Sequence, residues 1–310
     1  MGYPTLLDIL KANNAGGVAA VIDEVSKAHP EISLGAARTI PGLSYETLVR
    51  TGLGRTTGSF RDANAGSTPI KNTYANRKVE TFIDEARIEC DKAVADRSID
   101  GPTAYIAMES EGVLEGEMQG LCRQFYYGRN TNGNSQGYPG LIDAYDATNM
   151  AVDAGGTTDD VATSVWAVKF GPQGVQFVYG QNGMFAFSPT RIESIIDPND
   201  STKKFDGYVR TLLFYPGVQC GSVRAIGRIK KLTTDSGKGL TDALISQLLS
   251  KFEVGVVPDV LLMTRRSRQQ LQASRTATNQ TGSPAPIPTE SFGVRIEATD
   301  AIVNTEKLAS

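Results

Sequence analysis

Residues 102–128 read PTAYIAMESEGVLEGEMQGLCRQFYYG. Pro102 suits the first turn of a helix, where its missing N–H is no loss. Ile106, Val113, Leu114, Met118, Leu121 and Phe125 then recur on one stripe, which predicts a single long helix over residues 102–127 with one face turned to a core. Gly112, Gly116 and Gly120 follow at every fourth residue and so stand in one row, although each costs about 1 kcal/mol of helix propensity relative to alanine. Two readings of that row stay open: a close-packed neighbour leaning on it, or glycines that merely weaken or curve the helix. Glu109, Glu111, Glu115 and Glu117 form an acidic cluster on the same helix.

Downstream, residues 128–140 are an Asn/Gly-rich loop. The pattern then turns to strands at 165–170 and 175–179, and the intervening Gly171, Pro172, Gln173 and Gly174 predict a hairpin. Strands at 208–215 and 222–232, a helix at 241–252 and a buried strand at 256–263 follow. Thr264 is placed to cap a helix that starts Arg265, Arg266, Ser267, Arg268, and a last alternating strand carries Val294, Ile296 and Ala298. The second half is therefore mixed α and β.

Upstream, strand-like runs at 45–51 and 79–91 bracket residues 52–76, about twenty-five residues of mostly Gly, Thr, Asn and Ser with hardly a large apolar side chain. That stretch has little to bury in a core of its own. Its flanks make it the tip of a long two-stranded arm, with a floppy surface loop as the plainer alternative. Before it, Thr5 caps a short helix with Asp8 in its first turn, and Val18, Val21, Ile22 and Val25 have the spacing of an amphipathic helix ending before Pro30.

The 310 residues are 40% hydrophobic and 21% charged, ample for a sizeable core in one large domain or two intimately linked ones. Thirty-one Lys and Arg against thirty-four Asp and Glu leave a net charge of -3, without the basic excess of a dedicated nucleic-acid binder. Any DNA contact is then local or weak. Cys90, Cys122 and Cys220 are far apart and form no C-x-x-C, so neither a zinc site nor a disulfide scaffold is suggested and a reducing, cytoplasmic folding compartment fits. No signal-peptide pattern opens the sequence and no apolar run reaches about eighteen residues, so neither secretion nor a membrane span is expected.

Catalytic material is scarce. The one histidine, His29, precedes Pro30 at a helix end, where surface capping is its expected role, and it leaves no Ser/His/Asp triad or multi-histidine metal site. Gly237, Lys238 and Gly239 lack the remaining residues of a phosphate loop and read as a turn. Glu109 and Glu111 could serve as acid and base of a carbohydrate-active hydrolase, but one tryptophan, Trp166, makes no sugar platform, and helical glutamates are usually solvated or ion-paired. Arg265, Arg266, Arg268 and Arg275 scatter around several helix faces, which favours inter-subunit ion pairs over a phosphate grip. No catalytic residue, cofactor or metal is assigned.

The order of parts resembles the Hong Kong 97-like fold of tailed double-stranded DNA bacteriophage major capsid proteins, which encapsulin shells share. Phe125, Tyr126, Tyr127 and Gly128, then Pro139, Gly140 and Leu141, are similar to the end of the spine helix and the loop after it in that family. Ser164 to Val168 before a Gly-rich turn resembles a strand pair of the epsilon15-type podovirus group. Gln269, Leu271, Ser274 and Arg275 with Gly282, Pro284 and Pro286, and Gly293 to Ile296 with Thr299, Asp300, Ile302, Thr305 and Glu306, resemble the same group. Together these strings span about two thirds of the chain.

The resemblance implies an α+β, Hong Kong 97-like capsid fold with an N-arm at 1–44, an extended β loop at 45–80, a peripheral domain with the spine helix at 81–155, an axial domain at 156–275, and a C-terminal strand at 276–310 returning to the peripheral domain. That strand is expected to pair near residues 79–90. The implied function is a self-assembling icosahedral shell, built in the host cytoplasm as pentamers and hexamers around packaged double-stranded DNA that it touches weakly and non-specifically. No long segment precedes Tyr3, so a separate scaffolding protein is expected, with a portal protein and a possible decoration protein as further partners. Some shells of this kind weld subunits through Lys–Asn isopeptide bonds, for which Lys71 and Asn304 are the material, although a lone surface lysine is the plainer reading. Arg55, Arg61, Lys71 and Arg77 on the loop, facing Glu109, Glu111 and Glu115 of a neighbour's long helix, are the inter-subunit contact candidates. An encapsulin-like nanocompartment is the rival with the same fold, and the hydrolase is the rival from another class.

Overall fold

The computed structural model describes residues 4–14, 24–279 and 283–308. Val18, Val21 and Ile22 of the expected amphipathic helix lie outside them. α1 (Leu6–Asn14) is opened by Thr5, whose N–H and hydroxyl both donate to Asp8 at 2.9 and 2.7 Å. The chain then runs through α2 (Pro30–Leu34) and β1 (Ala36–Thr39) into β2 (Ser44–Gly52) and β3 (Thr73–Glu80), an antiparallel pair that forms a sheet by itself. The arm is therefore present, but its second strand begins inside the polar stretch. Residues 79–91 are not one strand. The chain bends where Thr81 N–H reaches Leu43 O and Phe82 N–H reaches Pro216 O, and β4 (Asp84–Asp91) enters another sheet.

That second sheet carries the long helix. After α3 (Lys92–Ala95), α4 spans Gly101–Tyr127, 27 residues as the periodicity predicts. Beneath it lie β4, β8 (Phe185–Phe187), β9 (Arg191–Asp197) and β10 (Asp200–Phe214), with β10 pairing antiparallel to the other three. Leu121 is buried with Leu212, Phe214 and the half-buried Leu114 and Met118, while Tyr105 is buried with Cys90, Ala95 and Ile9. The helical stripe thus finds its core on a strand ladder whose second half comes more than eighty residues later in the chain.

The third unit is a six-stranded sheet in the order β14 (Glu290–Ser291), β15 (Val294–Ala298), β13 (Val260–Met263), β6 (Thr163–Val168), β12 (Ile226–Leu232), β5 (Ala151–Asp153). Every residue of β6 is buried, because both faces are covered. Val165 and Ala167 face a core shared with α6 (Asp242–Leu249) and α7 (Arg265–Ala277), whereas Trp166 and Val168 face Phe125, Tyr126 and Tyr127 at the end of α4. Thr241 and Thr264 cap the two helices through their side chains, accepting from Leu244 and Ser267 N–H.

Two pairings differ from expectation. Residues 165–179 are not a hairpin: β6 pairs with β12 and β13, while β7 (Val175–Tyr179) lies between β1 and β11 (Pro216–Cys220) in a separate three-stranded sheet. A buried run flanked by Gly and Pro signals a strand and a bend, but the bend here changes sheets. The strand Val294–Ala298 exists, yet it pairs parallel to β13 and antiparallel to β14 instead of returning to residues 79–90. Only the segment after it, through Ile302 and Glu306, reaches the end of α4.

Two glycines explain the motif that closes the long helix. Gly128, at φ +50°, lies so near Gly140 that a Cβ on it would stand 2.2 Å from Gly140 N and 2.0 Å from an Asp143 carboxylate oxygen. Asp143, in α5 (Leu141–Ala144), accepts from Gly140 and Arg129 N–H at 3.0 and 3.2 Å. Gln124 clasps the loop from the helix side, donating to Asn134 O and Tyr138 O and accepting from Asn134 N–H.

Candidate assembly surfaces

The largest exposed feature among the described residues is the tip of the β2–β3 arm. Every residue from Leu53 to Lys71 is exposed. Phe60 is 96% and Leu53 59% exposed, and among the described residues Arg55 and Arg61 bond only to carbonyls of the loop itself, at Gly58 and Ala65. Lys71 is likewise exposed at the loop's return. Arg77 behaves differently. It sits half-buried at the root of the arm and donates to Cys220 O and Gly221 O, both at 3.4 Å, so its work is to hold β3 to β11 within one subunit.

The acidic candidates also divide. Glu111 is exposed. Glu109 is half-buried, and burial together with its carboxylate pushes the Tyr105 phenol above its usual range. Glu115 already holds the chain's own N-terminal region: it accepts from Lys27 N–H at 2.9 Å and faces His29 Nε2 at 3.3 Å, while Gln119 bonds both Glu115 and Val25 O. Those hydrogen bonds, Gln119 first, hold the Glu115 carboxyl below the usual range. His29 is thus no surface cap. It stands at the N-cap of α2 without a capping bond, half-buried, with Nδ1 3.5 Å from Cys122 Sγ. Among the described residues no hydrogen bond or ion pair joins any of the four loop cations to Glu109, Glu111 or Glu115 within the subunit.

Glu117 lies on the same helix, but its environment is distinct. It faces Asp84 at the start of β4, and burial, reinforced by the Asp84 charge, raises it above the ordinary carboxylate range. Burial raises Asp84 as well. Apart from the helix's own backbone, no described atom lies within 4 Å of where a Cβ would stand on Gly112, Gly116 or Gly120.

The arginine cluster is mostly engaged inside the subunit. Arg275 makes a bidentate pair with Asp242, both contacts at 2.7 Å; Arg266 donates to Val161 O and Asn304 O; Arg268 donates to Pro288 O. Only Arg265 of the four is exposed. Gly237 to Gly239 form the turn expected, closed by Lys238 N–H to Asp235 O at 3.0 Å.

Chemically the surfaces offer contact and little reactivity. Glu109 and Glu111 are two apart on a helix, so their carboxylates diverge instead of flanking one bond. Burial pushes the Cys90 thiol up to about 11 and Cys220 up to about 12, which keeps both protonated and unreactive near neutrality. Among the described residues no group of three or more His, Cys, Asp or Glu is placed to hold a metal, and no helix is long and apolar enough to cross a membrane.

The model of the family described as major capsid protein GP7 matches residues 15–310. The structure of bacteriophage epsilon15 superposes with a TM-score of 0.73 at 20% identity, covering 99% of this chain and 98% of that one. The capsid of bacteriophage JBD30 gives a TM-score of 0.52 at 10% identity over 90% and 93%. No curated protein sequence matches the chain.

Proposed function

The chain belongs to the major capsid protein GP7 family, and from that membership we propose that its exposed arm is the clasp by which one subunit holds the next. The protein is a phage major capsid protein with the Hong Kong 97-like fold, a structural, non-enzymatic subunit that assembles with its own copies into the capsid of the virion. Pentamers and hexamers are the capsomers we assign to it. Assembly proceeds in the host cytoplasm with a separate scaffolding protein, at a portal, with a decoration protein as a further partner, and the near-neutral charge suits a lining that touches packaged double-stranded DNA only weakly.

Within the subunit, residues 1–44 serve as the N-arm, 45–80 as the clasp, 81–155 as the peripheral part with α4, and 156–275 as the axial part. β8 to β10 join the peripheral sheet although they fall inside the last range, and β15 adds to the axial sheet.

The observation that carries the clasp is that every residue from 53 to 71 is exposed, Phe60 above all. Ordering that backbone costs roughly 1 to 2 kcal/mol per residue, which so little burial cannot offset in a lone subunit. Laid across a neighbour, the same residues gain burial, strand-type hydrogen bonds and acidic partners, of which Glu111 is the exposed one. Deleting residues 56–72 tests this. The expected product keeps the circular dichroism and thermal transition of the intact subunit but makes no stable shells in electron micrographs. Normal particles from the deletion would refute the clasp.

A further inference from the structure

The end of α4 is fixed to the axial sheet by a buried polar cluster. Glu306 is 1% exposed and accepts from Tyr127 Oη at 2.6 Å, Ser164 Oγ at 2.6 Å and Arg228 Nη2 at 3.1 Å. Arg228, also 1% exposed, donates from Nε to Ser164 Oγ at 2.9 Å, and its guanidinium lies 5.1 Å from the Trp166 ring centre. Tyr127 Oη in turn accepts from Val303 N–H at 3.0 Å, Thr163 Oγ1 donates to Val303 O at 2.9 Å, and Glu306 N–H donates to Ala162 O at 2.9 Å. One phenol, at the last residue of α4, thus joins the helix to the segment after β15. That segment is stitched to β6, and its carboxylate to β12.

Such a cluster does something that the surrounding aromatics cannot. Apolar packing of Phe125, Trp166 and Val168 holds the helix end in place without fixing a direction, whereas hydrogen bonds are directional; Tyr126 donates to the buried Glu31 at 2.7 Å, which ties the helix end to α2 and not to the six-stranded sheet. A buried ion pair is also a poor source of net stability, so specificity of arrangement is the better account of why one is present. The arrangement that matters here is an angle. α4 is 27 residues long, about 40 Å, so a tilt of about 5° at its end moves the far turn, and the peripheral sheet packed on it, by about 3.5 Å.

We propose that Tyr127, Glu306 and Arg228 are positioning residues that set the angle between the spine helix and the axial sheet, and through it the curvature of the shell the subunit enters. The inference rests on the shell-forming role, whose own failure would appear as the absence of particles from the unaltered chain.

The test compares three variants for thermal transition and for particle diameter under one set of assembly conditions. Tyr127→Phe keeps the volume of the buried ring and removes only its two hydrogen bonds. Glu306→Gln removes the charge, and if that variant does not fold, Tyr127→Phe decides alone. Leu271→Ala is the control, because Leu271 is buried on the opposite face of the sheet, in the core beneath α6 and α7. The expected result is that Tyr127→Phe subunits fold and assemble but lose the single diameter of the wild type, giving mixed or open particles, while Leu271→Ala keeps that diameter despite its lower transition. Wild-type diameters from Tyr127→Phe, a change shared by Leu271→Ala, or folded Tyr127→Phe subunits that form no particles would each overturn the assignment. The last outcome would place the residue in assembly itself and not in curvature.

Discussion

At the scale of single residues, what a charge does depends on whether its partner is already inside the subunit. Glu306→Ala strands the fully buried Arg228, and breaking such a pair costs about 3 to 5 kcal/mol, to be read as an earlier urea unfolding midpoint. Glu117 gives the opposite sign. Its pKa and that of Asp84 are raised, so the folded chain holds those protons more tightly than the unfolded one, and the pair costs stability above its folded pKa. The cost fades as pH falls toward the unfolded carboxylate value of about 4. Glu117→Gln is therefore expected to raise the thermal transition at pH 7 and to lose that advantage in acid, which melting curves across pH would check. None of this was legible from the sequence. Glu115 and Glu117 look alike in a string of glutamates, and only the fold gives one a histidine and two donors and the other a second carboxylate. Arg77 and Arg275 show the same limit, because a sequence displays a charge but not its occupancy: within the subunit one sits on two carbonyls and the other on Asp242.

At the scale of elements, local signals are legible in the sequence and pairings are not. The long helix, the threonine cap at Thr264, the turn at Gly237 and the polar arm are each specified by neighbours a few residues apart, so pattern suffices. A strand's partner is a tertiary choice. The run at 163–168 has no alternation because both its faces are buried, and nothing in it says that the following strand at 175–179 joins another sheet. The alternation at 294–298 likewise names a face and leaves β13 unnamed. The glycine row on α4 is the element still to be decided. Gly116→Ala should stabilise the free subunit by about 1 kcal/mol, since the new methyl meets no described atom outside the helix's own backbone, and urea unfolding would measure it. Assembly then separates the two readings: shells of normal yield mean glycines that merely soften the helix, and lost shells from a more stable subunit mean a neighbour packed on the row.

At the scale of the whole molecule, the family is legible because several weak strings fall in the right order, even though the strings do not reveal which sheets they join. On the proposed clasp the arm meets a neighbouring copy, and its cations Arg55 and Arg61 are exposed, so any ion pairs they make there are screened over about 8 Å at physiological salt. Reversing both to Glu is expected to weaken shells most at low ionic strength, with the gap to wild type narrowing as salt rises; particle yield against salt concentration would show it, and an equal deficit at every salt would argue against ion pairing. The arm's root is separately secured, by Arg77 on the carbonyls of Cys220 and Gly221 and by Thr81 on Leu43. The bolt is thus kept apart from the hinge on which it hangs. If residues 53–71 are the clasp, heritable changes between Leu53 and Lys71 adjust how tough a particle is without lowering the harvest of correctly folded chains.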